Sequence, residues 1–129
     1  MNLLDTCFMI DLLNGDRGAV EVAEGLGGAF TTAVNVYELF FGIENGAGDR
    51  GDRSRDAESL VARLEVLPLD YASGRSAAAM MADLYRRGEP LDALDVFTAA
   101  IGVTHGCSVV VTRNRRHFER FPGFTVEEY

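Results

Sequence analysis

The sequence of 129 residues contains no lysine, so all 12 of its basic residues are arginines. It has no apolar run near the roughly 20 residues that a membrane-spanning helix needs, so we expect no membrane association. The N-terminus carries an acid at position 5 and no basic cluster, so we expect no secretory signal peptide. The two cysteines, Cys7 and Cys107, lie far apart and lack metal-ligand spacing. We therefore expect reduced thiols in a cytoplasmic protein.

The sequence also lacks the features of three common nucleotide-binding and signalling sites. No GxxxxGK[ST] motif is present, which excludes a P-loop protein. The segment 46–51 (GAGDRG) matches GxGxxG, but it follows a predicted helix instead of a strand, so we discard a dinucleotide site. Receiver domains also gather acids at strand ends, but they use a lysine on a late strand, and this chain has none.

Acids outnumber arginines by 20 to 12, which gives a formal net charge of −8 at pH 7. Such a chain repels polyanions, so its overall charge opposes nonspecific binding to nucleic acid. The segment 113–120 departs from this balance, because it contains four arginines and one histidine but only one glutamate. The sequence therefore predicts a local cationic patch on an acidic protein.

Predicted strands and helices alternate along the chain, whose length suits one domain over residues 1–129. Five short apolar runs predict strands, the first ending at Leu4 or Asp5 and the others at 29–32, 65–69, 108–112 and 124–126. Apolar spacing and turn signals predict helices at 6–13, 17–25, 33–44, 55–65, 71–87, 93–104 and 115–119, with a flexible loop over 45–56. This alternation is typical of an α/β fold whose parallel sheet is covered on both faces.

Asp5 follows the first predicted strand, and a helix begins directly after it. In an open α/β sheet, ligands bind at the carboxyl ends of the strands, so an acid at this point is a candidate for chemistry. The alternative is that Asp5 only caps the following helix. Further acids at matching places would favour the first interpretation.

Glu38 lies in the middle of a predicted helix, where capping cannot explain an acid. Residues three or four apart share a helical face, so Asn35, Glu38 and Gly42 form one narrow polar stripe on an otherwise apolar helix. A carboxylate among apolar neighbours must be ion-paired, protonated or metal-bound. A salt bridge to an arginine is therefore the alternative to a role in a site.

Two later segments add polar candidates. The sixth predicted helix opens with Asp92 and Asp95, and we assign Asp92 to its cap. Asp95 continues with Ala99 and Gly102 along one face, which is predicted to be small and open beyond the acid. Asn114 follows the clearest strand, and it either joins the site or caps the short helix after it.

The chain contains Leu4-Asp5-Thr6, then Glu38 within Val-Asn-Val-Tyr-Glu-Leu-Phe-Phe-Gly, then Asp95-x-x-Thr-Ala-Ala, and finally Val-Thr-Arg-Asn-x-x-His-Phe. In this order the four motifs resemble those of PIN-domain nucleases. Within that family the chain is most similar to VapC-like toxins of toxin–antitoxin pairs. The resemblance extends over nearly the whole chain, including its length and the spacing of the motifs.

The resemblance implies an α/β fold, a PIN-like three-layer α/β/α sandwich with a central five-stranded parallel sheet in the order 3-2-1-4-5. It implies that Asp5, Glu38 and Asp95 are catalytic acids that bind Mg²⁺ or Mn²⁺. Asn114 stands at the position of the family's fourth acid and is a further expected metal ligand. Because Asn114 is an amide, one negative charge is lost from the expected set.

Three further positions follow from the same resemblance. Thr6 and Thr112 match the family's small hydroxyl residues beside the metal and are expected to support it. Cys7 departs from the family, which usually has Asn or Ser at this position.

We expect a metal-dependent ribonuclease that hydrolyses RNA phosphodiester bonds through a metal-activated water. RNA contacts are predicted for Arg113, Arg115, Arg116 and His117, with phosphates as the partners of the arginines and a structural role as the alternative for His117. The implied partners are RNA, a VapB-like antitoxin and a second copy of the chain in a homodimer. Two other functions stay open, a catalytically silent PIN-fold binding module and a housekeeping RNA-processing nuclease without an antitoxin.

Overall fold

The computed structural model describes all 129 residues and contains five strands and seven helices. None of the helices is long and apolar enough to span a membrane. In chain order the elements are β1 (Asn2–Leu4), α1 (Thr6–Leu13), α2 (Arg17–Gly25), β2 (Ala29–Thr32), α3 (Ala33–Asn45), α4 (Arg50–Val61), β3 (Glu65–Leu67), α5 (Tyr71–Arg86), α6 (Ala93–Thr104), β4 (Val109–Val111), α7 (Arg115–Phe118) and β5 (Thr125–Glu127).

The five strands form one parallel sheet in the order β3-β2-β1-β4-β5, which confirms the predicted topology. Strand β1 lies in the centre, and the chain passes from it to β2 on one side and later to β4 on the other. The strand order therefore reverses between β1 and β4, and the carboxyl ends of these strands flank the switch point at which ligands bind in open α/β sheets.

Consecutive residues of the central strands point to opposite faces of the sheet, and both faces are buried. Leu3 and Val110 belong to one apolar cluster, which packs mainly against α5 and α6. Leu4 and Val111 belong to a second cluster, which packs against α1, α2 and α4. Helix α3 contributes to both clusters, so the fold is the expected three-layer α/β/α sandwich.

One helix begins earlier than the sequence predicts. Helix α4 begins at Arg50, so most of the expected loop at 45–56 is helical. Asp49 caps this helix, because its Oδ1 accepts a hydrogen bond from the backbone N–H of Asp52 at 3.1 Å, and Asp52 also pairs with Arg55. The first two turns of α4 bury no apolar side chain. They therefore lack the apolar spacing from which a helix is predicted in a sequence.

Gly102 lies at a close approach between α6 and the sheet, so the expectation of an open face at this position is wrong. A Cβ atom at position 102 would lie 2.8 Å from Leu3 Cδ2 and 2.8 Å from Phe124 Cζ. Only a residue without a side chain lets α6 pack this closely, and α6 is the helix that carries Asp95.

Gly102→Ala should lower the free energy of unfolding by about 1–3 kcal/mol, since the added methyl group overpacks a filled core. The matched control is Gly74→Ala in α5, where nothing lies within 4 Å of an added Cβ. In a helix that control should be neutral or stabilising by about 0.5–1 kcal/mol. Urea unfolding of both variants measures the difference, and equal stabilities would contradict the packing argument.

Candidate active site

Asp5 lies at the carboxyl end of β1, is 3% exposed and accepts four hydrogen bonds. Its Oδ1 receives the backbone N–H of Thr6 at 2.9 Å and the side-chain amide of Asn35 at 3.2 Å. Its Oδ2 receives the hydroxyl of Thr112 at 2.7 Å and the thiol of Cys7 at 3.5 Å. Asp5 does cap α1, but the three side-chain donors show that it is more than a cap.

The two predicted supporting hydroxyls both contact the acids. Thr112 follows β4 and accepts the backbone N–H of Asn114 at 2.9 Å, so its own proton is free to bond Asp5. Thr6 donates its hydroxyl to Glu38 Oε1 at 3.0 Å. Thr6 and Thr112 therefore orient acids that belong to different elements of the fold.

Glu38 is half-buried on α3, and no arginine pairs with it, so the salt-bridge alternative is wrong. Burial raises the pKa of Glu38, the hydrogen bond from Thr6 opposes this shift, and the negative charges of Asp5 and Asp95 add to it. Glu38 thus lies within the electrostatic range of both other predicted acids.

Asp95 lies in the first turn of α6 and is half-buried. Burial raises its pKa, the charge of Asp5 raises it further, and the nearby His117 lowers it. Asp92 caps α6 through the N–H of Leu94 at 2.8 Å, as predicted. Asp5, Glu38 and Asp95 therefore lie within electrostatic range of one another, and we call these three residues the acidic site.

The chemistry of the acidic site suits a hard divalent cation, because its donors are carboxylate oxygens whose charges repel one another. Glu38 Oε2 and Asp95 Oδ1 accept no hydrogen bond from the protein and are free to act as ligands. No three Asp, Glu, His or Cys side chains converge as a complete ligand set. The donor set therefore fits Mg²⁺ or Mn²⁺ by ligand type and charge.

Asn114 is exposed and occupies the N-cap position of α7, but its side chain makes no capping hydrogen bond to that helix. Its backbone N–H instead bonds Thr112, as described above. The amide of Asn114 is thus free beside the carboxyl end of β4, where a fourth ligand is expected.

The four residues predicted to contact RNA have different surroundings. His117 donates a hydrogen bond from Nδ1 to Asp95 Oδ2 at 2.7 Å, so it is placed beside the acidic site. Arg113 pairs with Asp11 and lies 5.8 Å from the ring centroid of Tyr129. Arg115 forms ion pairs with Glu119 and Glu128. Arg116 is exposed and forms no ion pair.

Asn35 is a site residue to which the sequence analysis assigned no role. It is fully buried on α3 and bonds Asp5, Thr6 and Thr32. Its position on the polar stripe with Glu38 was visible in the sequence. The stronger signal was its chemistry, since a buried amide must find hydrogen-bond partners in the protein.

Cys7 lies between Asp5 and Thr112, with its Sγ 3.3 Å from Thr112 Oγ1. Burial and the charge of Asp5 raise the pKa of the thiol, which keeps it protonated and able to donate to Asp5. The cysteine can therefore act as a weak hydrogen-bond donor to Asp5.

Residues 3–123 match the PIN domain family. The tRNA(fMet)-specific endonuclease VapC of Salmonella typhimurium is 32% identical over 98 residues, which are 76% of this chain and 73% of that protein. The chain therefore belongs to the PIN domain family. Within this family it groups with the VapC nucleases.

Solved structures of VapBC complexes have the same fold. The DNA-bound VapBC of Salmonella typhimurium superimposes with a TM-score of 0.87 at 27% identity, over 98% of this chain and 96% of that one. VapBC2 of Rickettsia felis, bound to a promoter DNA fragment, superimposes with a TM-score of 0.89 over 99% and 98% of the two chains. At 17% identity, the second likeness concerns the fold alone.

The raised pKa values of Glu38 and Asp95 predict how the metal-free protein responds to pH. The contribution of these two carboxyl groups to the free energy of unfolding is fully present below their unfolded pKa values of about 4.3 and 3.9. It is lost as the pH rises through their higher pKa values in the folded protein. In chelator at about pH 7, Glu38→Gln should therefore melt at least as high as wild type. This advantage should disappear at about pH 4.

The matched control is Glu44→Gln, an exposed glutamate on the same helix. It should change the melting temperature little at either pH. Thermal unfolding over this pH range measures both effects. A Glu38→Gln protein that melts well below wild type at neutral pH would show that Glu38 stabilises the fold through contacts other than those described.

Proposed function

We propose that this protein is a Mg²⁺- or Mn²⁺-dependent endoribonuclease of the cytoplasm and the toxin of a toxin–antitoxin pair. The observation that carries the proposal is the acidic site, in which the charge of Asp5 raises the pKa values of both Glu38 and Asp95 and the charge of Asp95 adds to that of Glu38. The Salmonella relative is named for cleavage of tRNA(fMet). We extend from that name only the class of substrate, which is RNA.

The metal ligands are Asp5, Glu38 and Asp95, with Asn114 as the fourth. A bound divalent cation supplies an activated water and positive charge that offsets the charge of the phosphodiester. The protein contributes orientation, because Thr6 holds Glu38 and His117 holds Asp95. Asp5 is held by the four donors described above.

Arg116 is the arginine best placed to attract the RNA backbone, since it is exposed and has no acidic partner. Arg113 and Arg115 are partly neutralised by acids of their own chain. Contacts of this kind would contribute affinity to any RNA and little discrimination between bases. The acidic site then acts on whichever phosphodiester is presented to it.

A VapB-like antitoxin is the proposed inhibitor, with a basic side chain that pairs with the acids of the site. The related solved structures are named as VapBC toxin–antitoxin complexes, which supports this partner. An apolar cleft between α1, α2 and α4, lined in part by Phe8, Leu12 and Leu60, offers a surface for an antitoxin helix. We also propose that the toxin is a homodimer.

Asp5→Asn and Asp95→Asn should each lower the cleavage rate by about a thousandfold, because several kcal/mol of charge stabilisation would be lost. The matched control is Asp92→Asn, which changes the neighbouring cap residue, and asparagine caps helices about as well as aspartate. That control should keep its activity. RNA cleavage in Mg²⁺ or Mn²⁺, with a chelator blank, measures all three, and rapid cleavage by Asp5→Asn and Asp95→Asn would exclude this site.

Arg116→Gln should flatten the salt dependence of RNA binding by about 0.7–0.9 in the slope of log K against log salt, the value of one phosphate contact. Binding is measured in an Asp95→Asn background so that the RNA stays intact. The control is Arg63→Gln, an exposed arginine without an ion pair that lies just before β3 begins and therefore at the amino ends of the strands. Equal slopes for the two variants would remove Arg116 from the RNA path.

A further inference from the structure

Asn35 is fully buried in the first turn of α3, and every polar atom of its side chain has a partner. Its Oδ1 accepts the hydroxyl of Thr32 at 2.7 Å. Its Nδ2 donates to Asp5 Oδ1 at 3.2 Å and to Thr6 Oγ1 at 2.9 Å. Both protons of the amide are therefore used, one on an acid of the site and one on the hydroxyl that holds another acid.

The neighbours of Asn35 allow its amide only one orientation. Thr32 Oγ1 accepts the backbone N–H of Asn35 at 3.1 Å, so its own proton points to the side-chain oxygen of Asn35. The reversed amide would place that oxygen against the carboxylate of Asp5 and its NH₂ group against the Thr32 proton. The observed orientation is the one in which each donor faces an acceptor.

The orientation of Asn35 also decides where Thr6 directs its proton. Thr6 Oγ1 accepts from Asn35, so its single proton is left for Glu38 Oε1 at 3.0 Å. The hydrogen bonds thus run in one direction from Thr32 through Asn35 and Thr6 to Glu38, with a branch from Asn35 to Asp5. Both branches end on acids of the site.

We infer that Asn35 is a positioning residue of the nuclease, which fixes Asp5 directly and Glu38 through Thr6. This inference rests on the proposed function. Asn35 commits Asp5 Oδ1 and Glu38 Oε1 to the protein, and it leaves Glu38 Oε2 free for a ligand. Its role is to present two acids from different elements, β1 and α3, as one preorganised pair.

The test compares Asn35→Leu, which keeps the approximate volume and removes all the hydrogen bonds, with wild type. A second variant, Asn35→Ser, is smaller and less apolar and serves if the first does not fold. Each should lower kcat by about ten- to a hundredfold while KM for RNA stays within about twofold. The concentration of Mg²⁺ or Mn²⁺ at which the melting temperature rises by half its maximum should increase by a similar factor.

The control is Thr31→Val, which removes another fully buried hydrogen bond, from Thr31 Oγ1 to the carbonyl oxygen of Leu4 at 3.0 Å. It should lower the melting temperature and leave kcat and the metal titration unchanged. An Asn35→Ser Thr6→Val double variant should lose less activity than the sum of the single changes, in free-energy terms, because both break one chain.

Failure of the proposed function and failure of the role inferred for Asn35 give different results. If wild type neither cleaves RNA nor gains stability from metal, the proposed function is overturned, and the inference falls with it. If wild type does both, and the Asn35 variants match Thr31→Val in kcat and metal titration, Asn35 only stabilises the fold. Additive effects in the double variant would likewise contradict the linked chain.

Discussion

The hydrogen bonding of the buried Asp5 carboxylate is the constraint on which the site and the sheet both depend. A buried charge must have its hydrogen bonds supplied by the protein, and here the donors come from the start of α1, from α3 and from the end of β4. The pairing of Leu4 with Val111 places Asp5 opposite Thr112. A slip of one residue would turn Thr112 to the other face of the sheet. The register of the central strands is thus also the geometry of the site.

When ionised, Glu38 and Asp95 lower the free energy of unfolding of the fold that carries them. Burial and the charge of Asp5 raise the pKa values of Glu38 and Asp95, so both carboxylates are held in a less favourable environment than water. Thr6 and His117 offset part of this cost by bonding to one oxygen of each acid. The other oxygens stay free, and a cation that neutralises them would recover stability by binding only the folded protein. Under the proposed metal dependence, stability and metal affinity would therefore be coupled.

Local signals in the sequence were sufficient for the parallel α/β architecture and the candidate acids, whereas the sheet order came from the resemblance to PIN-domain nucleases. Strand ends, caps and an acid in an apolar helix can each be recognised within a few residues, as at Asp5 and Glu38. The start of α4 was missed because polar residues and a cap, without an apolar face, hold its first turns. Asn35 was missed for another reason, since its partners Asp5 and Thr6 lie some thirty residues away, just after β1, and only the folded sheet brings them to α3. The ion pair of Arg113 with Asp11 is long-range in the same way.

An acidic chain that acts on RNA needs the attraction to be local. With a net charge of −8 the surface as a whole repels the substrate. Ion pairs with its own acids leave Arg113 and Arg115 with little free positive charge, so the cationic patch predicted from residues 113–120 is weaker than its composition suggests. Under the proposed function, affinity comes from a few unpaired arginines such as Arg116 and from the cations that the acidic site would hold. We therefore expect weak binding to most RNA, with selectivity set more by the shape of the substrate than by charge.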